Sequence, residues 1–335
     1  MSLLKQDFLN AAAIIEASNS IVITCHVNPD GDAIGSALGL SQAISNIGKN
    51  VQVIVPNAYS ENLKWMYGTD EVWVFDEHTE KSKQYIATAD LIIHLDYNAL
   101  KRSGPMEEVL TSAEAKRIMI DHHQQPDDFV DVMLSDTEAS STCELVYRFL
   151  QEVEWLDKLT LEGAQCLYTG IITDTGNFRF SSTSPYTHKA AAWLLNRGVQ
   201  SDVVASLVYD SNTVNRLGLL GRALNNMQLL CNNTVALITL SAEDLKEFEY
   251  KRGDTEGFVN YGLSVGTVEV SAFLCLKEGL VKMSFRSKGK YDVNAFARKY
   301  FDGGGHINAA GAASESSLKE VAEKFKAAIK EFVDA

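Results

Sequence analysis

The sequence predicts an α/β protein of two domains, and three observations carry that expectation. The first half repeats one theme, a short apolar strand, a polar turn and an amphipathic helix, which is the pattern of a parallel doubly wound sheet with helices on both faces. The chain has 335 residues, more than one hydrophobic core usually organises. A helical stretch from His188 to about Leu230, with no strand signal, then separates this half from a second set of strands and hairpins.

Taken in order, Ile21 to Cys25 is the first strand, followed by a helix from Asp32 to Ile47 with Asp32 as N-cap and Gly48 just past its end. Strands Val51 to Val55, Leu91 to Leu95 and Arg117 to Ile120 follow, then helices near Thr142 to Glu152 and Thr160 to Thr169. The apolar segment Tyr168 to Thr173 closes on Asp174, which is grouped with the residues at strand ends. Beyond the helical stretch, Thr234 to Leu240, Val268 to Gly279 and Leu280 to Gly289 read as strands. A helix near Val293 to Tyr300, the glycines Gly303 to Gly305 and a closing helix, Ser317 to Phe332, complete a smaller α+β domain. The expected boundaries are 1–196 for the first domain, 197–231 for a helical linker and 232–335 for the second domain.

A hydrophobic content of 46% and a charged content of 22% describe an ordinary soluble globular chain. No apolar run approaches the roughly 18 residues of a membrane span, and the amino terminus lacks the order of a signal peptide. A cytoplasmic enzyme or binding protein is therefore expected, with no membrane partner. The five cysteines are odd in number and widely spaced, against a disulfide framework or a zinc cluster. A net charge of -14 argues against a polyanionic partner. The distribution modifies this, because 16 basic residues face 29 acidic ones up to residue 231, whereas 14 face 15 from Asn232 onward. Between Lys277 and Lys299 seven bases stand against two acids. That run reads equally as a solvated face or a phosphate-binding surface.

In an open parallel sheet the ligand lies beyond the carboxyl ends of the strands. His26, Asp30 and Asp32 (in the stretch HVNPDGD), Asp96, the run Asp121, His122 and His123, and Asp174 are all placed there. Taken singly, Asp32 reads as a helix cap, Asp30-Gly31 as a turn and each histidine as a structural side chain. Together they make a set of oxygens and imidazoles suited to a hard or borderline divalent ion, and Mn²⁺ fits such a set better than thiolate-loving metals do. His26, Asp30, Asp32, Asp96, His122 and Asp174 are too many for one ion and enough for two, with Asp96 central enough to bridge. Two ions about 3.5 to 4 Å apart clamp a phosphoryl oxygen for in-line hydrolysis and reverse the local field, so that an acidic domain attracts phosphate. Pro29 and Gly31 are expected to shape the turn that sends Asp30 to one ion and Asp32 to the other. His78, His94 and His188 share no such clustering and read as structural.

These motifs, HVNPDGDAIGS (His26 to Ser36), HLDYN (His94 to Asn98), DHH (Asp121 to His123) and TGIITDTGNFRF (Thr169 to Phe180), resemble the DHH phosphoesterase superfamily. The segment FRSKGKYDVNAFARKYFDGGGHINAAG (Phe285 to Gly311) resembles its nucleotide-binding DHHA1 domain, and the pattern is closest to the nanoRNase/pAp phosphatase branch. The resemblance implies that His26 and Asp30 bind one Mn²⁺ and Asp32, His122 and Asp174 the other. It further implies that Asp96 bridges them, Asp121 orients His122, and His123 contacts the scissile phosphate or assists the leaving group. In the second domain it implies substrate contacts from Arg286, Gly303, Gly304, Gly305 and His306. Phe178 and Arg179 are placed to stack on a base or pair with a phosphate, and Phe178 reads equally as core. Asp302 stands where family members often carry a further glycine.

The implied activity is Mn²⁺-dependent hydrolysis of very short oligoribonucleotides and of 3'-phosphoadenosine 5'-phosphate by two-metal activation of a hydroxide, with Mg²⁺ or Co²⁺ as substitute ions. Expected partners are short oligoribonucleotides or small phosphorylated nucleotides, not long duplexes, and a homodimer is left open. Alternatives are a cyclic or linear dinucleotide phosphodiesterase, an exopolyphosphatase or pyrophosphatase, and a non-catalytic nucleotide-binding module.

Overall fold

The structure, a computed structural model, describes residues 3–334. It divides into two compact units, Met1–Ser211 and Asn212–Ala335. The first contains α1 (Lys5–Ala17), β1 (Ser20–Thr24), α2 (Gly31–Asn46), β2 (Asn50–Val55), β3 (Trp73–Val74), α3 (Thr79–Ala87), β4 (Leu91–Leu95), α4 (Glu107–Ser112), β5 (Lys116–Asp121) and β6 (Val132–Ser135). Four further helices follow, α5 (Thr142–Glu152), α6 (Leu161–Asp174), α7 (Pro185–Asn196) and α8 (Ser201–Tyr209).

All six strands are parallel, in the order β3-β2-β1-β4-β5-β6. Successive side chains of a strand point to opposite faces, and the apolar runs use both. Ile21 and Ile23 of β1 and Ile93 of β4 enter a core with α1, α2, α5 and α6. Val22 and Ile92, between them, enter a smaller core with Ile86, Met106 and Leu110. Burial of β1, β4 and β5 on both sides explains why they show continuous apolar runs in the sequence and not alternation. The chain passes from β1 outward to β3 and returns to β4 on the other side of β1, so the switch in strand order, where such sheets bind ligands, lies between β1 and β4.

The second unit contains α9 (Val214–Asn225), β7 (Gln228–Leu230), β8 (Val235–Leu240), α10 (Ala242–Glu247), α11 (Phe258–Gly262), β9 (Val270–Lys277), β10 (Leu280–Ser287), α12 (Val293–Phe301), β11 (Gly304–His306), β12 (Ala309–Ser314) and α13 (Leu318–Asp334). Its sheet, β11-β12-β10-β9-β8-β7, is antiparallel except for the β8–β9 pair. Phe285, Phe296 and Phe325 pack under α12 and α13 on one face, while Phe258 and Phe273 pack with α9 to α11 on the other.

Three expectations are corrected. The segment 197–231 is not a uniform helical linker: α8 belongs to the first unit, α9 and the short strand β7 to the second. Asp174 ends a helix, not a strand. The N-cap of α2 is Asp30, whose side chain accepts from the N–H groups of Asp32 and Ala33, and Asp32 lies in the first turn.

Candidate metal centre

The carboxyl ends of β1, β4 and β5 deliver three of the predicted clusters to the switch in strand order. After β1, Asn28 turns the chain with a left-handed φ of 55°. It is clamped by Asn57, whose Oδ1 accepts the Asn28 N–H at 2.7 Å and whose Nδ2 donates to the Asn28 side chain at 3.1 Å. Gly31 does not make this turn. Its hydrogen faces α6, where a Cβ would stand 2.5 Å from Thr173 Oγ1. Asp30 splits its oxygens, Oδ1 capping α2 through Asp32 and Ala33 N–H at 3.0 and 3.1 Å, and Oδ2 facing His26 Nε2 at 3.9 Å. After β4, Asp96 takes a left-handed φ of 62°. α2 and α6 run antiparallel, with Gly31 against Thr173 and Gly39 against Leu167, so the start of one brings Asp32 to the end of the other, at Asp174.

The six predicted ligands meet in two groups, His26 with Asp30 and Asp96, and Asp32 with His122 and Asp174. Asp96 joins them: its Oδ2 lies 3.2 Å from His26 Nε2 and its Oδ1 lies 3.5 Å from His122 Nε2. His122 Nε2 is also 3.3 Å from Asp174 Oδ2 and 3.9 Å from Asp32 Oδ2. The tautomers follow from the outer nitrogens. His26 Nδ1 lies 2.8 Å from the Val27 carbonyl and His122 Nδ1 lies 3.3 Å from the Ala139 carbonyl. A carbonyl only accepts, so each Nδ1 carries the proton and each Nε2 of a neutral ring turns a lone pair on carboxylate oxygens. Acceptors so arranged need a proton or a cation between them. Separations just above 3 Å are also those of neighbouring ligands around an ion with bonds of about 2.1 Å. The donor set fits divalent ions.

Without ions, protons fill that role. Burial opposes charge on His26 and His122, yet the hydrogen bonds to Asp96 and the surrounding carboxylates outweigh it and raise both pKa values, that of His122 well above the usual range. Burial, reinforced by the charges of Asp96 and Asp174, pushes Asp32 well up. For Asp96 burial also acts upward, but the two histidines hold it well below the ordinary carboxylate range.

Asp121 is hydrogen-bonded to His123. Its Oδ1 lies 2.8 Å from His123 Nδ1 and its Oδ2 accepts the His123 N–H at 3.1 Å. Burial pushes the Asp121 carboxyl up to about 6. Burial and the nearby Arg102 hold His123 well below the usual imidazole value.

Helix α5 contributes what the motifs missed. The Thr142 and Cys143 N–H groups donate to Asp32 Oδ2 and Oδ1 at 2.7 and 2.9 Å, and the Thr142 hydroxyl donates to Asp96 Oδ1 at 3.0 Å. The start of this helix therefore holds one carboxylate from each group. It is fixed from behind by the buried Glu144, which accepts from Ser140 and Thr187, both at 2.6 Å. The signal in the sequence was Ser-Ser-Thr before an apolar helical run, an N-cap pattern that carries no hint of what the helix end faces.

Phe178 is half-buried, stacked on His188 with ring centroids 5.2 Å apart, and packs on the first core. Arg179 is exposed, over the Phe180 ring. In the second unit, Arg286 and His306 are both paired with Ala309, in one row across β10, β12 and β11. Gly303 and Gly305 allow strand contact, since a Cβ would stand 2.2 Å from the Gly311 carbonyl or 2.4 Å from that of Ala309. Asp302 is the left-handed C-cap of α12, φ 52° and ψ 38°, which explains why glycine suits the position.

A profile of the DHH family N-terminal domain matches residues 20–171 and one of the DHHA1 domain matches 232–335. The chain is 31% identical over 331 residues to the bifunctional oligoribonuclease and PAP phosphatase NrnA of Thermus thermophilus, covering 96% of this chain and 93% of that protein. With the Bacillus subtilis protein of the same name it shares 29% over 299 residues, 89% and 90% of the two chains. It is 28% identical over 337 residues to the cyclic-di-AMP phosphodiesterase GdpP of Bacillus subtilis, covering 96% of this chain but 49% of that protein. An exopolyphosphatase-related protein from Bacteroides fragilis matches at a TM-score of 0.93 and 39% identity, over 98% and 97% of the chains. The chain thus belongs to the DHH family of phosphoesterases, a hydrolase with a DHH N-terminal domain and a DHHA1 domain.

Proposed function

We propose that this protein is a Mn²⁺-dependent phosphoesterase that removes nucleotides from very short oligoribonucleotides and dephosphorylates 3'-phosphoadenosine 5'-phosphate. The observation that carries the metal chemistry is the placement of Asp96, with one oxygen toward His26 and the other toward His122. His26, Asp30 and Asp96 would hold one ion, and Asp32, His122, Asp174 and Asp96 the second. When bound, two such ions supply Lewis acidity at the phosphoryl group and make a water nucleophilic at neutral pH.

The remaining work falls to the chain. Asp121 keeps the His123 Nδ1 proton in place, leaving Nε2 to take up a proton as the negative phosphate arrives and to donate it toward the phosphate or the leaving oxygen. Arg286 and His306, in one row, would contact the substrate. The substrate class rests on the relatives named for oligoribonuclease and PAP phosphatase activity, which this chain matches over about nine-tenths of their length. Cyclic-di-AMP hydrolysis is the second reading, favoured by the similarity to GdpP, of which this chain spans about half.

The test is turnover by chelator-treated protein after return of Mn²⁺, with 3'-phosphoadenosine 5'-phosphate, a diribonucleotide, cyclic-di-AMP and pyrophosphate compared at equal concentration. The first two should be hydrolysed fastest, and Asp96→Ala should be inactive on all. Preference for cyclic-di-AMP or pyrophosphate would overturn the substrate assignment, and near-normal turnover by Asp96→Ala would overturn the bridging role.

A further inference from the structure

On β10, Val281, Met283 and Phe285 are buried in the core under α12 and α13, and the alternate residues Lys282, Ser284 and Arg286 point away from it. Directly opposed residues of antiparallel strands share a face. Arg286, Ala309 and His306 are opposed in turn, so the guanidinium and the imidazole leave the same face with one methyl group between them. Gly304, two residues before His306, pairs with Gly311.

A side chain begun at Gly304 would meet another cation. Its Cβ would stand 3.6 Å from Arg298 Nη2 and 3.7 Å from Arg298 Cζ. Arg298 is an exposed residue in the last turn of α12, yet its side chain is tethered. Its Nε donates to Asn294 Oδ1 at 3.1 Å, and the same oxygen accepts the Gly305 N–H at 3.0 Å. Asn294 is 5% exposed. One buried oxygen thus ties the arginine to the glycine strand, while its two Nη groups have no acceptor among the described residues. A guanidinium held through Nε with both Nη groups open is a planar fork for a phosphate.

We propose that Arg298 is a specificity-determining residue that grips a terminal phosphate of the nucleotide held at Gly303 to Gly305, beside Arg286 and His306. The inference rests on the phosphoesterase reading for the class of ligand. An arginine here gives preference to nucleotides bearing a phosphate over otherwise identical ones without it. The rival role is favourable charge at the carboxyl end of α12. Lys299 serves that role equally and is already paired with Glu331 at 3.0 Å, so it provides the control.

The experiment is calorimetric binding of AMP and of adenosine to the full chain in chelator, for wild type, Arg298→Gln and Lys299→Gln. Losing a charged hydrogen-bond pair should weaken AMP by about tenfold or more in Arg298→Gln, leave adenosine unchanged, and leave Lys299→Gln like wild type. With Mn²⁺ returned, Arg298→Gln should raise KM for a 5'-phosphorylated diadenylate and not for the unphosphorylated one. Equal weakening of AMP and adenosine, no weakening, the same loss in Lys299→Gln, or a wild type that binds AMP no better than adenosine would overturn the proposal. Absence of turnover on every ester, with the AMP effect intact, would instead overturn the phosphoesterase reading alone.

Discussion

Asp96 leaves β4 at a φ of 62°, a conformation that costs a non-glycine residue energy and is held only where its surroundings fix it. The Thr142 hydroxyl is part of that fixing, through its bond to Oδ1. Thr142→Val, which keeps shape and loses the donor, should weaken Mn²⁺ binding about tenfold, in the range for partners of metal ligands. Thr142→Ser should restore it. Titration of Mn²⁺ by calorimetry checks this, and unchanged affinity in the valine variant would sink the role given to Thr142. Protonation gives a second prediction. The folded pKa values of His26, His122 and Asp32 are raised, so the stability they contribute is fully present below their unfolded values and is lost as pH rises through the folded ones. His123 and His94 are depressed, His94 to about 3. Their contribution is complete above about pH 6.5, the unfolded histidine value, and adds no slope there. Metal-free protein should therefore lose thermal stability from pH 6.5 to 8, and saturating Mn²⁺, by replacing the protons, should abolish the trend. Parallel pH profiles with and without Mn²⁺ would contradict the assignment of those protons to the metal site.

Between the elements, the close approach of α2 and α6 sets the distance from Asp32 to Asp174. Gly31, Gly35 and Gly39 recur every four residues along α2, which keeps them on one helical face. A Cβ at Gly35 would stand 2.4 Å from the Cys166 carbonyl, a backbone atom that cannot swing aside. Gly35→Ala should therefore cost about 1 to 3 kcal/mol, as overpacking does, and weaken Mn²⁺ binding as the helices part. Gly221→Ala, on α9 with nothing within 4 Å of its Cβ, should instead be neutral or stabilise by up to about 1 kcal/mol. Denaturant unfolding of the two variants decides, and equal effects would refute the packing argument. These same elements mark where the sequence could and could not be read. The buried strands β1, β4 and β5 announce themselves as short apolar runs, and the residues at their ends follow from the sheet rule. Tyr168 to Thr173 is also a short apolar run, and the buried second half of α6 has no polar face to give its period away, so its end at Asp174 groups with the strand ends although Thr160 to Thr169 reads as helix. Its carboxylate at the negative end of a helix dipole is a poor choice for stability and a reasonable one for holding a cation. The left-handed turn at Asn28 and the grip of Thr142 on Asp96 depend on residues 29 and 46 positions away, and no local pattern carries that information.

Across the whole chain the charge is partitioned as sharply as the chemistry. The first unit holds 29 acidic and 14 basic residues, a net -15, and the second 15 acidic and 16 basic, a net +1. All six proposed ligands lie in the first unit, on or beside β1, α2, β4, β5 and α6. Each unit has hydrophobic clusters of its own. Metal binding stabilises whatever folds around it, by about 2.7 kcal/mol when the free ion is at a hundred times its dissociation constant, and carboxylates left without ions repel one another. Both effects belong to the first unit. Chelation should therefore speed amide exchange in α2, α5 and α6 and leave β9 and β10 of the second unit unchanged, as hydrogen exchange resolved by segment would show. Returned Mn²⁺ should restore the protection. A uniform loss across both sheets would mean that the units unfold as one, and would contradict a metal contribution confined to the acidic half.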